Sequence, residues 1–406
     1  MRTSKRIALA AAAIMAVGAM SGVAAAQKYG PGVSDDTIKI GGIHPYSGPA
    51  SAYGTIGKSA NAYFNMINEQ GGVNGRKIEY IDLDDGYSPP KTKEQARKLV
   101  EKDKVLAIFN SLGTPTNSAI HNYMNKKKVP QLFVATGATK WGDPKNFPWT
   151  MGWQPNYQTE GAIFGNYLLQ NKPDAKIAIL YQNDDYGKDY VHGFKDALGD
   201  KAATMIVAEE SYEVTDPTVD SQIVNLKASG ADTFFNVTTP KFAAQAIRKS
   251  YDIGWKPVHM LNSVSASVSA VLKPAGFEKS EGIITTVYQM DPTDPAWTDD
   301  PEMKEWSAWM DKYYPEGDKS NTFNMYGYAV AQTFVQALKQ CGDNLTRENL
   351  MKEAANLREF RAKGLLPGIL ISTSPDDFYP IEAMQMQRFE GGEWVRFGEI
   401  VRAESS

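Results

Sequence analysis

The chain has 406 residues, with 47 acidic against 43 basic side chains, four histidines and one cysteine. The acidic balance argues against nucleic acid as a partner, and the lone Cys341 excludes an intrachain disulfide. So few soft ligands give a zinc or thiol site little to build from, and the length leaves room for two or three domains.

Arg2, Lys5 and Arg6 precede an apolar run from Ile7 to Met20, and Ala24-Ala25-Ala26 offers a small-residue cleavage site before Gln27. This is the pattern of a secretory signal peptide, residues 1–26, cleaved near Ala26. The run is shorter than the about 20 apolar residues that span a bilayer. An exported chain with no cysteine near the cleavage site to carry a lipid is expected free in a Gram-negative periplasm. We expect a soluble monomer, without stable membrane insertion. Removing residues 1–26 leaves 40 basic against 47 acidic residues, net −7.

The rest alternates strand and helix patterns. Strand Thr37–His44 is followed by a helix from about Tyr53 to Gln70, and Lys77–Asp84 by a charged helix near Thr92–Asp103. Strand Val105–Asn110 leads to a helix near Pro115–Lys128, and strand Gln131–Val134 ends in a small-residue loop. The same grammar restarts after Trp153. A helix from about Tyr157 to Gln170 precedes strand Lys176–Tyr181 and helix Gly187–Leu198. Strand Thr204–Ser211, helix Ser221–Ala228, strand Thr233–Val237, helix Phe242–Tyr251 and strand Val258–Leu261 follow. Met151–Pro155 and Thr286–Gln289 read as crossings between two such units. Helices near Pro301–Tyr313, Phe323–Gln340 and Arg347–Ala355 come next, then strands near Glu382–Phe389 and Trp394–Phe397. This repetition predicts parallel sheets covered by helices, with a cleft at the carboxyl ends of the strands.

Gly57-Lys58-Ser59 is the tail of a phosphate-loop motif, but the motif needs glycine where Ala52 stands. Lys58 is therefore expected on a solvated helix face. Three loops at strand ends share another chemistry: Pro45–Pro49, Ser111–Thr116 and Ala135–Thr139 are rich in Ser, Thr and Gly. Small residues admit a ligand to the backbone, and hydroxyls and helix N-terminal amides donate to it. Ordinary turns and caps want the same residues. Three such loops on one expected sheet edge favour a binding site. Tyr46, Tyr53, Tyr186 and Tyr288 lie beside them, as aromatic walls of a small-molecule pocket do; Trp141 is assigned to packing. Asn183-Asp184-Asp185 reads as a helix cap rather than a metal site. His44, His121, His192 and His259 have no sequence partner that makes them catalytic. No enzyme activity and no cofactor are expected.

These segments resemble periplasmic solute-binding proteins of the leucine/isoleucine/valine type, which serve ABC importers. The resemblance rests on Ile40–Gly54 with its SGP-x-x-x-Y-G core, the N-E-Q-G-G-V-N-G of Asn68–Gly75, Asp84-Asp85, Ala138-Thr139 and Asp185-Tyr186-Gly187. It implies an α/β fold of two Rossmann-like lobes joined by three hinge crossings, closing on a ligand and docking on a membrane permease. Lobe 1 is then 27–154 plus 289–365, and lobe 2 is 155–288 plus 366–406. In amino-acid binders of this family, the loops matching Gly113–Thr114 and Gly137–Thr139 hold the α-carboxylate, and positions matching Tyr53, Tyr186 and Tyr288 line the side-chain pocket. The ligand-binding residues expected here are Tyr53, Gly113, Thr114, Gly137, Ala138, Thr139, Tyr186, Asn236, Ser263, Ser265 and Tyr288. The family's ammonium-binding glutamate follows the strand that here is Val258–Leu261, yet Asn262–Ser267 carries no acid. An unpaired buried ammonium is costly, so an aromatic or short aliphatic carboxylic acid is expected. A branched-chain amino acid, with Glu278 or Glu281 serving, or an amide bound by the same mechanism is the alternative. A periplasmic sensor domain is the alternative of another class.

Overall fold

Two sheets account for the alternation. The computed structural model describes residues 29–402, so the signal peptide lies outside the described residues. The first sheet holds β1 (Thr37–His44), β2 (Lys77–Asp84), β3 (Ile108–Phe109), β4 (Gln131–Val134) and β5 (Thr150–Gly152). Their order is β2-β1-β3-β4-β5, all parallel. The second holds β6 (Ile177–Gln182), β7 (Ile206–Tyr212), β8 (Thr233–Val237), β9 (Val258–Leu261) and β10 (Ile284–Val287), parallel in the order β7-β6-β8-β9-β10. Antiparallel β11 (Ala383–Glu390) and β12 (Glu393–Arg402) extend it beyond β10. Each parallel unit sets its first strand between its second and third. The chain therefore leaves that strand in opposite directions, which opens a crevice at the carboxyl ends.

Burial follows from position. β1 is flanked on both sides, and Ile38, Ile40 and Ile43 are fully buried, whereas edge strand β2 keeps Lys77 and Glu79 exposed. The helix Gly54–Glu69 covers the first sheet with Ile56, Ala60, Phe64 and Ile67, a helical stripe. The helix Thr322–Cys341 packs against it at close range. A Cβ on Gly327 would lie 2.5 Å from the Ile56 carbonyl oxygen, and Ser59 Oγ donates to the Asn324 carbonyl at 2.7 Å. This contact carries Tyr53, at the start of one helix, to Phe323, at the start of the other, with ring centroids 5.0 Å apart.

The chain passes to the second sheet after β5, returns after β10 to Thr322–Cys341, and passes again to reach β11. The last two passages run side by side: Met290 N donates to the Gly364 carbonyl at 2.7 Å and Leu366 N to the Tyr288 carbonyl at 3.0 Å. One apolar core runs through both lobes, from Ile38 and Phe109 to Ile177 and Phe235. Lys58 is exposed, 5.9 Å from the Tyr46 ring centroid. Asp184 caps the helix Asp185–Leu198, accepting from Tyr186 N and Gly187 N.

The structure departs from the sequence reading at the crossings. Met151–Gly152 and Thr286–Val287, read as part of crossings, belong to strands β5 and β10. Each is short and runs straight into a passage between lobes, so its pattern lacks the length that marks a strand. The helix expected at Thr92–Asp103 begins earlier, as Pro89–Arg97, because Pro89 and Pro90 fit a first turn that needs no amide donors. It ends in a wider turn, Lys98–Lys102.

Candidate functional site

A cavity of about 70 Å³ lies between the lobes. Among the described residues no lysine, arginine or histidine lines it; its walls are tyrosines, small hydroxyl residues and apolar side chains, with Gln154, Gln289, Gln387 and Asp291 among them.

One part of the wall is a helix N-terminus. The helix Thr114–Lys127 starts after Gly113, whose φ is 98°, and no side chain caps it. Pro115 has no amide, and Thr114 Oγ1 lies 2.5 Å from Thr136 Oγ1. The first-turn amides carry the positive end of the helix dipole to the cavity without a competing carboxylate. By contrast, Asp184 already satisfies the N-terminus of Asp185–Leu198.

Aromatic packing shapes the rest. Tyr157 meets Tyr186 edge-on at 5.3 Å and stacks on Tyr190 at 4.4 Å. Trp153 backs Tyr326 at 4.8 Å and Tyr288 at 6.1 Å. Tyr326 Oη donates to Gln154 Oε1 at 3.1 Å, and Tyr186 Oη to Asn262 Oδ1 at 3.2 Å. Burial pushes the Tyr157, Tyr186, Tyr288 and Tyr326 hydroxyls up, so they stay neutral donors at physiological pH.

Two buried acids stand near the cavity in different roles. Glu160 Oε1 accepts from Ser263 N at 2.7 Å, and Oε2 accepts from Ser263 Oγ at 2.7 Å and Tyr190 Oη at 2.6 Å. Burial pushes its carboxyl up, against those hydrogen bonds, and the residue stands behind Ser263 rather than in the wall. Asp291 does line the cavity, and Thr293 and Thr322 hold its carboxylate.

The model of the periplasmic binding protein family matches residues 37–393. This chain belongs to that family. A Leu/Ile/Val-binding protein homolog of Brucella suis is 25% identical over 315 residues, covering 76% of this chain and 80% of the relative. Among solved structures, a branched-chain amino acid ABC transporter protein from Thermus thermophilus, with bound valine, superposes with a TM-score of 0.81. It is 17% identical, and the match covers 92% of this chain and 98% of that one. A fatty acid ABC transporter substrate-binding protein from Thermomonospora curvata gives 0.79 at 23% identity, over 93% and 95% of the two chains. The fold is that of the type I periplasmic binding proteins. Among the described residues, no helix is long and apolar enough to cross a membrane.

In this binding protein, Tyr53, Gly113, Thr114, Tyr186, Ser263 and Tyr288 come together around the cavity. Gly137, Ala138, Thr139, Asn236 and Ser265 do not line it. β4 ends at Val134, so Ala135 reaches the wall and Thr136 backs Thr114, while the next three residues have already turned away. Gly137 packs against Pro155 and Tyr157, and its carbonyl accepts from Tyr157 N. Ala138 is buried beside the rim, where Thr139 N and Oγ1 donate to Asp189 Oδ2 at 2.7 and 2.8 Å. Asn236 lies inside the second sheet, bonded to Thr238 and His259, and Ser265 Oγ donates to the Thr238 carbonyl. Glu278 and Glu281 lie at a separate surface depression with Tyr251 and Trp255.

Sequence reasoning missed Tyr87, Gln154, Tyr157, Asp291 and Tyr326, all in the wall. Tyr157 opens the helix Tyr157–Asn171 and Tyr326 follows the first turn of Thr322–Cys341, and that placement is a signal a sequence reading can use. Asp291 stands in an Asp-Pro-Thr-Asp-Pro run that reads only as a turn.

Proposed function

We propose that this protein captures a small carboxylate-bearing solute by hinge closure and hands it to the membrane permease of an ABC importer. The uncapped helix N-terminus at Gly113–Thr114 carries the reading. The Thr114 amide and hydroxyl there suit an anion, in a cavity with no basic side chain among the described residues. The aromatic walls favour an aromatic or short aliphatic acid. The second reading, a branched-chain amino acid, draws on the Leu/Ile/Val-binding and valine-bound relatives and on Asp291, an acid in the wall that Asn262–Ser267 does not supply. The lobes of the moving unit are 27–154 plus 289–365 and 155–288 plus 366–406. Titration calorimetry on the mature protein with leucine and with benzoate separates the two readings. Benzoate binding with no leucine heat supports the first; tight leucine binding without benzoate binding overturns it.

A further inference from the structure

We propose that Asp291 and Gln289 form a second subsite in the cavity, which accepts a hydrogen-bond donor on the ligand. The solute is then a bifunctional acid with an ammonium or hydroxyl group set apart from its carboxylate. The inference rests on the carboxylate reading above and extends it.

The Asp-Pro-Thr-Asp-Pro run folds as a tight turn around the Asp291 carboxylate. Oδ1 accepts from Thr293 N at 2.8 Å and Thr293 Oγ1 at 2.6 Å, and Oδ2 accepts from Thr322 Oγ1 at 2.9 Å. The carboxylate is thus fixed in orientation, 3% exposed and part of the cavity wall. A carboxylate has about four acceptor sites, and these donors use three. No lysine or arginine pairs with it among the described residues; Arg396, which pairs with the neighbouring Asp294, is held there at 3.0 Å.

Gln289 supplies the second observation. Its Nε2 donates to the Thr322 carbonyl at 3.3 Å, and its Oε1 is buried without a partner in the same wall. A carbonyl only accepts, so the amide cannot be flipped, and Oε1 is the free end. An unmet buried acceptor is unfavourable until a donor reaches it. Thr322 anchors both groups, whereas Thr114 is anchored by Thr136 and Gly113 packs against Tyr87. The cavity therefore offers donors at one place and acceptors at another, with no hydrogen-bonding partner in common.

Calorimetry with matched acids tests this: benzoate against 4-hydroxybenzoate, and pentanoate against 5-hydroxypentanoate and 5-aminopentanoate. In at least one series, a donor-bearing acid should bind tenfold or more tighter than its plain counterpart. Asp291→Asn and Gln289→Leu should each cut that ratio severalfold, in protein whose melting temperature shows it folded. The amino and hydroxy arms tell a cation from a neutral donor. A ratio near one in both series of the wild type, or a ratio unchanged in both variants, overturns the subsite while leaving the carboxylate reading intact. Binding of no acid in either series overturns both.

Discussion

Gly113 joins a positive-φ backbone conformation to the proposed ligand contact at a single residue. Its φ of 98° suits glycine, and a Cβ there would stand 2.4 Å from Tyr87 Cε2 and 2.7 Å from Thr116 Oγ1. Gly113→Ala should therefore destabilise the protein by about 1–3 kcal/mol, the range for a strained backbone position. It should also weaken ligand binding tenfold or more by turning the Thr114 amide away; urea unfolding and calorimetry measure the two effects. His259 sets a pH response. Burial pushes its imidazole down to about 3, and its Nε2 lies 3.1 Å from Asn236 Nδ2, a donor that requires the unprotonated nitrogen. The unfolded chain takes up this proton near pH 6.5 and the folded chain does not, so the stability is intact above that value and is lost as pH falls below it. By pH 5 the loss is about 2 kcal/mol, from about 1.4 kcal/mol per pH unit. His259→Gln should flatten the change in unfolding free energy between pH 7 and pH 5 by that amount. Equal slopes in the two proteins would refute the assignment.

At the scale of elements, most of the fold was legible because the local patterns and the sheet agree. β2, β8 and β9 begin and end where the sequence pattern puts them, being runs of apolar and β-branched residues between clear breakers. β5 and β10 were not, since three or four residues leading into a crossing carry no period. The site was legible where it sits directly after a strand or opens a helix, as Gly113, Thr114 and Tyr186 do. It was not legible where the chain overshoots the cavity, as at Ala138 and Thr139, nor at Asp291, whose Asp-Pro-Thr-Asp-Pro run reads only as a turn. The packing of Gly54–Glu69 on Thr322–Cys341 is a long-range fact of the same kind. Gly327→Val would press on the Ile56 carbonyl and Ser59, separating the helices that set Tyr53 beside Phe323. Overpacking of this kind costs about 1–3 kcal/mol, and the lower urea midpoint should come with weaker ligand binding. A fall in stability at unchanged affinity would show that the helix contact does not position the cavity.

For the whole molecule, the contacts between lobes decide how closure feeds affinity. Tyr53 Oη donates to the Val264 carbonyl at 3.0 Å across the cavity, and at the rim Asp189 Oδ2 accepts both Thr139 N and Thr139 Oγ1. The Lys140–Asp185 pair nearby is 2.6 Å long, but its side chains are 34% and 64% exposed, and solvent screening makes such pairs weak. Asp189 is therefore the stronger rim contact, since one half-buried carboxylate holds two donors of the other lobe. On the proposed hinge closure, a ligand that touches both walls binds the closed form, and apparent affinity scales with the closed fraction of the free protein. Asp189→Ala removes both rim bonds, each a hydrogen bond to a charged acceptor. A loss of about 1.5–3 kcal/mol of closed-state stability corresponds to a tenfold or greater rise in apparent Kd where the open form dominates. Saturating ligand should still close the variant, so its ligand-bound radius of gyration by small-angle scattering should match the wild type. Tyr53→Phe, which removes a single neutral bond worth about 0.5–1.5 kcal/mol, should raise Kd less. Equal affinities in the wild type and Asp189→Ala would mean that the rim closes passively, and that the cavity walls alone hold the lobes together.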